Sequence, residues 1–81
     1  MKPIASDLEI IAAIKHYVDS EGIPPTIREL VLIVGFNSTS AIHYRVRVLS
    51  QKGYLTYRKR VARSIRLLEP AFQWLAKEKV S

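Results

Sequence analysis

Eighty-one residues, 48% of them apolar, make one small globular domain and leave little chain for an elaborate active site. The absence of cysteine removes disulfides, thiolate zinc sites and cysteine catalysis, and no apolar run approaches the roughly 18 residues that cross a bilayer. The formal charge of +6 is carried unevenly: Phe36 to Leu68 holds Arg45, Arg47, Lys52, Arg58, Lys59, Arg60, Arg63 and Arg66 and no acid, leaving five of the thirteen Lys/Arg to share the rest with all seven Asp/Glu.

Met1-Lys2-Pro3-Ile4 lacks the apolar stretch of a signal peptide. Ser6 or Asp7 can cap a first helix, Leu8 to about Ser20, in which Ile10, Ile11, Ile14, Tyr17 and Val18 recur at three- and four-residue spacing. Glu21-Gly22 ends it, Gly22 suiting a left-handed C-terminal position, and Pro24-Pro25 bars helix and stiffens the link. Thr26 opens a second helix, with Glu29 at the spacing of a capping box. Ile27, Leu30, Val31 and Val34 form its buried stripe, and Gly35 stops it; a helix this short is not stable alone.

Phe36-Asn37 leads into Ser38-Thr39-Ser40, a run of good N-caps, and a third helix follows to about Lys52. At about 100° per residue, Ile42, Val46 and Leu49 share a core face. Ser40, Tyr44, Arg47 and Gln51 fall opposite, with His43 on their flank. After Gly53 the period changes. Tyr54 to Arg58 alternates, as does Ser64 to Leu67, so Leu55 and Tyr57 should meet Ile65 and Leu67 across a hairpin. Its tip, Lys59 to Arg63, is basic and holds neither Gly nor Pro. Glu69-Pro70 breaks the strand, and a last helix runs from Ala71 to about Val80, with Phe72, Leu75 and Ala76 on an apolar face and Trp74 beside it.

Three helices, then a two-stranded hairpin, is the order of a winged helix-turn-helix, with the turn at Gly35-Phe36-Asn37. The predicted class is mainly α with a small β-hairpin. Residues 1–68 form the winged helix, and residues 69–81 form a short C-terminal helical extension.

The acid-free basic segment coincides with the third helix and the hairpin, the elements that such a fold presents to a nucleic acid. One of Ser38, Thr39 and Ser40 serves as a cap; the others are candidates for base or phosphate contact beside the helix N-terminus. His43 and Tyr44 offer hydrogen bonds and flat apolar surface to base edges. Arg47 can reach a guanine or a phosphate, the phosphate being the commoner target. Arg58, Lys59, Arg60 and Arg63 are placed to hold the backbone or enter the minor groove. Phe72, Trp74 and Leu75 are candidates for core packing or a small dimer contact. No catalytic constellation, Gly-rich phosphate loop or His-centred metal spacing is present, so neither an enzyme nor a cofactor is expected.

The stretch Glu21-Gly22-Ile23-Pro24-Pro25-Thr26-Ile27-Arg28-Glu29-Leu30, then Val34-Gly35-Phe36, resembles the DNA-binding domain of the LexA repressor family. So do Ser38-Thr39-Ser40-Ala41-Ile42-His43, Leu49, Lys52-Gly53 and Arg63-Ser64-Ile65-Arg66-Leu67-Leu68. The resemblance covers residues 6 to 68, and the Ser-x-Ser-x-x-His run is most similar to the branch found in Gram-positive bacteria. It implies a third helix in the DNA major groove. Base contacts would come from Ser38, Ser40, Ala41 and His43, and from Tyr44 at a position where the family varies. Thr26, Arg28 and the wing tip would lie near phosphates. Family members continue into a self-cleaving peptidase domain with a Ser-Lys pair. This chain ends at Ser81, so self-cleavage, that domain's dimer contact and a damage response do not carry over.

The expected function is therefore a transcription regulator, a repressor in kind, that binds double-stranded DNA in the prokaryotic or phage cytoplasm. A symmetric pair on a palindromic site is expected, because one module buries too little surface for tight specific binding. No membrane and no small-molecule substrate is expected. The alternatives are a protein-interaction module for an acidic partner or another repressor, an RNA binder, and an excised domain of a longer repressor.

Overall fold

The computed structural model describes residues 6–35 and 38–80; the side chains of residues 79 and 80 fall outside the description. The element order is α1 (Asp7–Glu21), α2 (Ile27–Val34), α3 (Thr39–Gln51), β1 (Leu55–Thr56), β2 (Arg66–Leu67) and α4 (Glu69–Val80). This is the winged helix-turn-helix order. The predicted turn at Phe36-Asn37 lies outside the described residues.

Local chemistry sets the helix ends. Ser6 caps α1, its side chain accepting the Glu9 N–H while the Glu9 carboxylate accepts the Ser6 N–H. Thr26 and Glu29 repeat this reciprocal box at α2. Gly22 and Gly35 close α1 and α2 at φ 77° and 79°, in the left-handed region where a Cβ is penalised.

The core is one cluster. Ile10, Ile11 and Ile14 of α1, Leu30 of α2, and Ile42, Val46 and Leu49 of α3 are fully buried with Leu55; Ile65, Ala71 and Leu75 complete the cluster. Each of the Val, Leu and Ile side chains contributes about 1.5–3 kcal/mol by leaving water. Helix α1 is the hub, packing against α2, α4 and β2. Tyr17 is only half-buried, and Val18 lies at the surface.

The hairpin is antiparallel, with Leu55 opposite Leu67 and Thr56 opposite Arg66. The predicted faces are therefore right, but the regular ladder is shorter than the alternating sequence. Beyond Thr56 the Ser64 hydroxyl takes over its work. Its Oγ accepts the Arg58 N–H at 2.9 Å and lies 3.1 Å and 2.9 Å from the carbonyl oxygens of Arg58 and Val61. A side chain thus closes the tip where strand pairing stops.

Helix α4 starts earlier than expected, at Glu69, and buries a different stripe. Ala71 and Leu75 enter the common core and Trp74 packs against Tyr54, whereas Phe72 is 40% exposed and Ala76 is at the surface. Starting the helix two residues sooner does not alter its period. Ala71, which looked like a mere boundary residue, is small enough to approach the core closely. Among the described residues no helix is long and apolar enough to cross a membrane.

Candidate nucleic-acid interface

Burying Ile42, Val46 and Leu49 on the inner face of α3 forces the positions between them outward. Thr39, Ser40, Ala41, His43, Tyr44 and Arg47 are all exposed. Ser38 is the residue that caps α3, its Oγ accepting the Ala41 N–H at 3.3 Å. That leaves the Thr39 and Ser40 hydroxyls without a side-chain hydrogen bond among the described residues. The Arg47 guanidinium lies over the Tyr44 ring, 5.4 Å from its centroid, so a cation and an aromatic ring stand together on the outer face of α3. His43 meets Tyr57 edge-on, ring centroids 5.9 Å apart at 86°, joining the outer face of α3 to the base of the wing.

The wing tip carries Arg58, Lys59 and Arg60, all exposed and none in an ion pair among the described residues. Arg60 and Arg63 adopt φ of 62° and 57°, unusual for residues with a side chain. Two concavities adjoin between α3 and the wing. One, of about 330 Å³, lies over Ile27, Thr39, Ser40, His43, Tyr44 and Arg47. The other, of about 390 Å³, shares Ile27, Thr39 and His43 and extends to Arg28, Tyr57, Arg58 and Arg60. Together they form a shallow, cation-rimmed channel running from α3 to the hairpin.

The basic segment is not uniformly available. Arg45 donates from Nε and Nη2 to Asp7 Oδ1 at 3.0 and 2.6 Å, and Lys52 lies 3.6 Å from Asp7 Oδ2. Arg63 donates from Nη1 and Nη2 to the two oxygens of Glu29, each at 3.0 Å. Two acids, one from α1 and one from α2, therefore engage three of these cations: Glu29 pairs with Arg63, and Asp7 is shared between Arg45 and, at longer range, Lys52. Among the described residues, Arg47, Arg58, Lys59, Arg60 and Arg66 have no acid partner, nor does Arg28 outside the segment. A reading along the chain counts the charge of a segment but cannot see a carboxylate brought in from 38 residues away.

Thr26 is half-buried in its capping box. Of the three candidates for a dimer contact, Leu75 is 7% exposed inside the core, Trp74 is half-buried with its ring centroid 4.9 Å from that of Tyr54, and Phe72 faces solvent.

The Glu29 carboxyl is held down at about 2, first by the Thr26 N–H and then by the Arg63 guanidinium; Glu29 in turn raises the pKa of Arg63. Because the folded value lies below the ordinary 4.5, the stabilisation from Glu29 is complete above that pH and fades as pH falls toward 2. The stability difference between the wild-type chain and Glu29→Gln should accordingly shrink over that window. Urea midpoints measured at both ends test it; a difference that stays constant with pH contradicts the assignment.

The LexA DNA binding domain family matches residues 1–64. The LexA repressor of Carboxydothermus hydrogenoformans is 40% identical over 60 residues, 74% of this chain and 29% of that protein. The LexA repressor of Aromatoleum aromaticum is 42% identical over 65 residues, 80% of this chain and 32% of that protein. The LexA repressor of Lactobacillus delbrueckii subsp. bulgaricus is 43% identical over 51 residues, 63% of this chain and 25% of that protein. The chain spans about a third or less of the length of these relatives.

Proposed function

The chain belongs to the LexA DNA-binding domain family, and from that premise we propose a transcription regulator, a repressor in kind, that reads a short half-site of double-stranded DNA. The observation that carries this reading is the cation-rimmed channel between the outer face of α3 and the wing. Helix α3 enters the major groove with Ser40, Ala41, His43 and Tyr44 toward base edges, the Ser38 hydroxyl beside them, and Arg47 toward a base or a phosphate. Thr39 and Arg28 flank the same groove beside the α3 N-terminus, where unpaired N–H groups favour a phosphate. Arg58, Lys59 and Arg60 hold the backbone on the far side.

Repression follows from occupancy: a module that covers promoter DNA competes with whatever else binds there. Two copies on a palindromic site are expected, with Phe72 as the open apolar side chain of the proposed dimer surface.

Selection of bound duplexes from a random pool at physiological salt tests the reading. It should return one short motif, repeated with inverted symmetry at a fixed spacing. A pool that emerges without any enriched motif refutes sequence reading, and a motif enriched only as single copies refutes the pairing.

Ser40→Ala or His43→Ala should change preference rather than binding in general. About 1–3 kcal/mol should be lost at the base each side chain reads, and little at other positions. Competition among single-base variants of the selected site measures this; an equal loss on all sequences would assign these residues to the backbone instead.

A further inference from the structure

The wing is attached weakly by its own ladder, which spans only Leu55–Thr56 and Arg66–Leu67. One side chain supplies a second attachment. Arg63 Nη1 donates to Glu29 Oε1 and to the Pro24 carbonyl, each at 3.0 Å, and approaches the Tyr17 hydroxyl at 3.4 Å, while Nη2 takes Glu29 Oε2. A single guanidinium thus ties the hairpin to α1, to the link before α2 and to the start of α2. Its backbone sits at φ 57°, a conformation that persists only where surrounding contacts hold it. The same Glu29 oxygen accepts the Thr26 N–H at 2.8 Å, so the helix cap and the wing share one carboxylate.

We propose that Arg63 is a positioning residue, a clasp that sets the angle of the wing against the helix-turn-helix through Glu29, and not a phosphate ligand. The electrostatics support this. A guanidinium bound at two points by a carboxylate brings almost no net charge to a polyanion, and at this site both fork nitrogens already face inward. The clasp instead fixes where Arg58, Lys59 and Arg60 stand relative to α3. An unclasped wing would have to order on binding, and its contacts would lose affinity to that entropy.

The inference rests on the DNA-binding reading above, and Glu29→Gln separates it from simple electrostatics. Gln still accepts the Thr26 N–H, so the α2 cap survives, but the charged bond to Arg63 is lost. The variant is more positive by one charge. If charge alone mattered, it would bind duplex DNA more tightly.

The clasp requires weaker binding, severalfold for Glu29→Gln and for Arg63→Ala alike. The salt slope should be unchanged in both, and the double variant no weaker than Arg63→Ala. Hydrogen exchange at the Arg58 and Arg66 amides in the free protein should quicken in both single variants, with global unfolding in urea measured alongside. Tighter binding by Glu29→Gln, or a salt slope reduced by about one in Arg63→Ala, makes Arg63 a phosphate contact and overturns the proposal. Unchanged exchange in the wing overturns it without reference to DNA. Failure of the wild-type chain to bind any duplex defeats the proposed function instead, and the exchange measurement still decides the clasp.

Discussion

Changing Lys59 and Arg60 together to alanine is expected to weaken binding to every duplex by the same factor, roughly 10–30-fold at about 0.15 M salt. Both residues stand at the exposed tip of the hairpin without an acid partner among the described residues, so both charges are available to phosphates. Each phosphate neutralised releases condensed counterions and adds about 0.9 to the log–log salt slope, so the slope should fall by about two. Sequence preference should not move, because phosphates are alike at every step of the duplex. Titrations at four or five salt concentrations, on the selected site and on random DNA, test all three statements. A changed preference with an unchanged slope would place the wing on base edges and reverse the roles given to hairpin and helix.

Ile14→Ala is expected to be the most destabilising single change considered, at about 2–5 kcal/mol. Ile14 is fully buried in α1, the helix against which α2, α4 and β2 all pack. Truncating it leaves a cavity that three elements cannot close at once. A chain of this length has only about 4–12 kcal/mol in total, so the loss should lower the thermal midpoint by roughly 10 °C or more. Leu32→Ala is the control: Leu32 is 78% exposed, and its removal should stay within about 0.5 kcal/mol. DNA affinity of Ile14→Ala, corrected for the folded fraction, should match the wild type, because no interface residue is touched. A loss below about 1 kcal/mol would mean that α1 is not the hub of the core.

These two outcomes divide the chain into a part that specifies the fold and a part proposed to meet DNA. Much of that division was legible in the sequence. Ile42, Val46 and Leu49 recur with the helical period, so their burial and the exposure of Ser40, Tyr44 and Arg47 followed from one wheel. Thr26 and Glu29 announced their capping box by spacing alone. The pairing of Leu55 with Leu67 followed from alternation. The stripe of α4 was less legible, because Ala71 scores weakly as a core residue and Phe72 strongly. The core space beside α1 admitted the small side chain and left the large one outside.

Periodicity and caps are local properties, written over three or four neighbours, and the sequence alone determined them: four helices, a hairpin, and the outward face of α3. Which cations remain open was decided only when the chain closed on itself. Asp7 came to Arg45 and Lys52, and Glu29 came to Arg63, across tens of residues. A charge acts through distance in space, which linear order does not contain, and so the tertiary structure separated the cations paired within the fold from those left without an acid partner among the described residues.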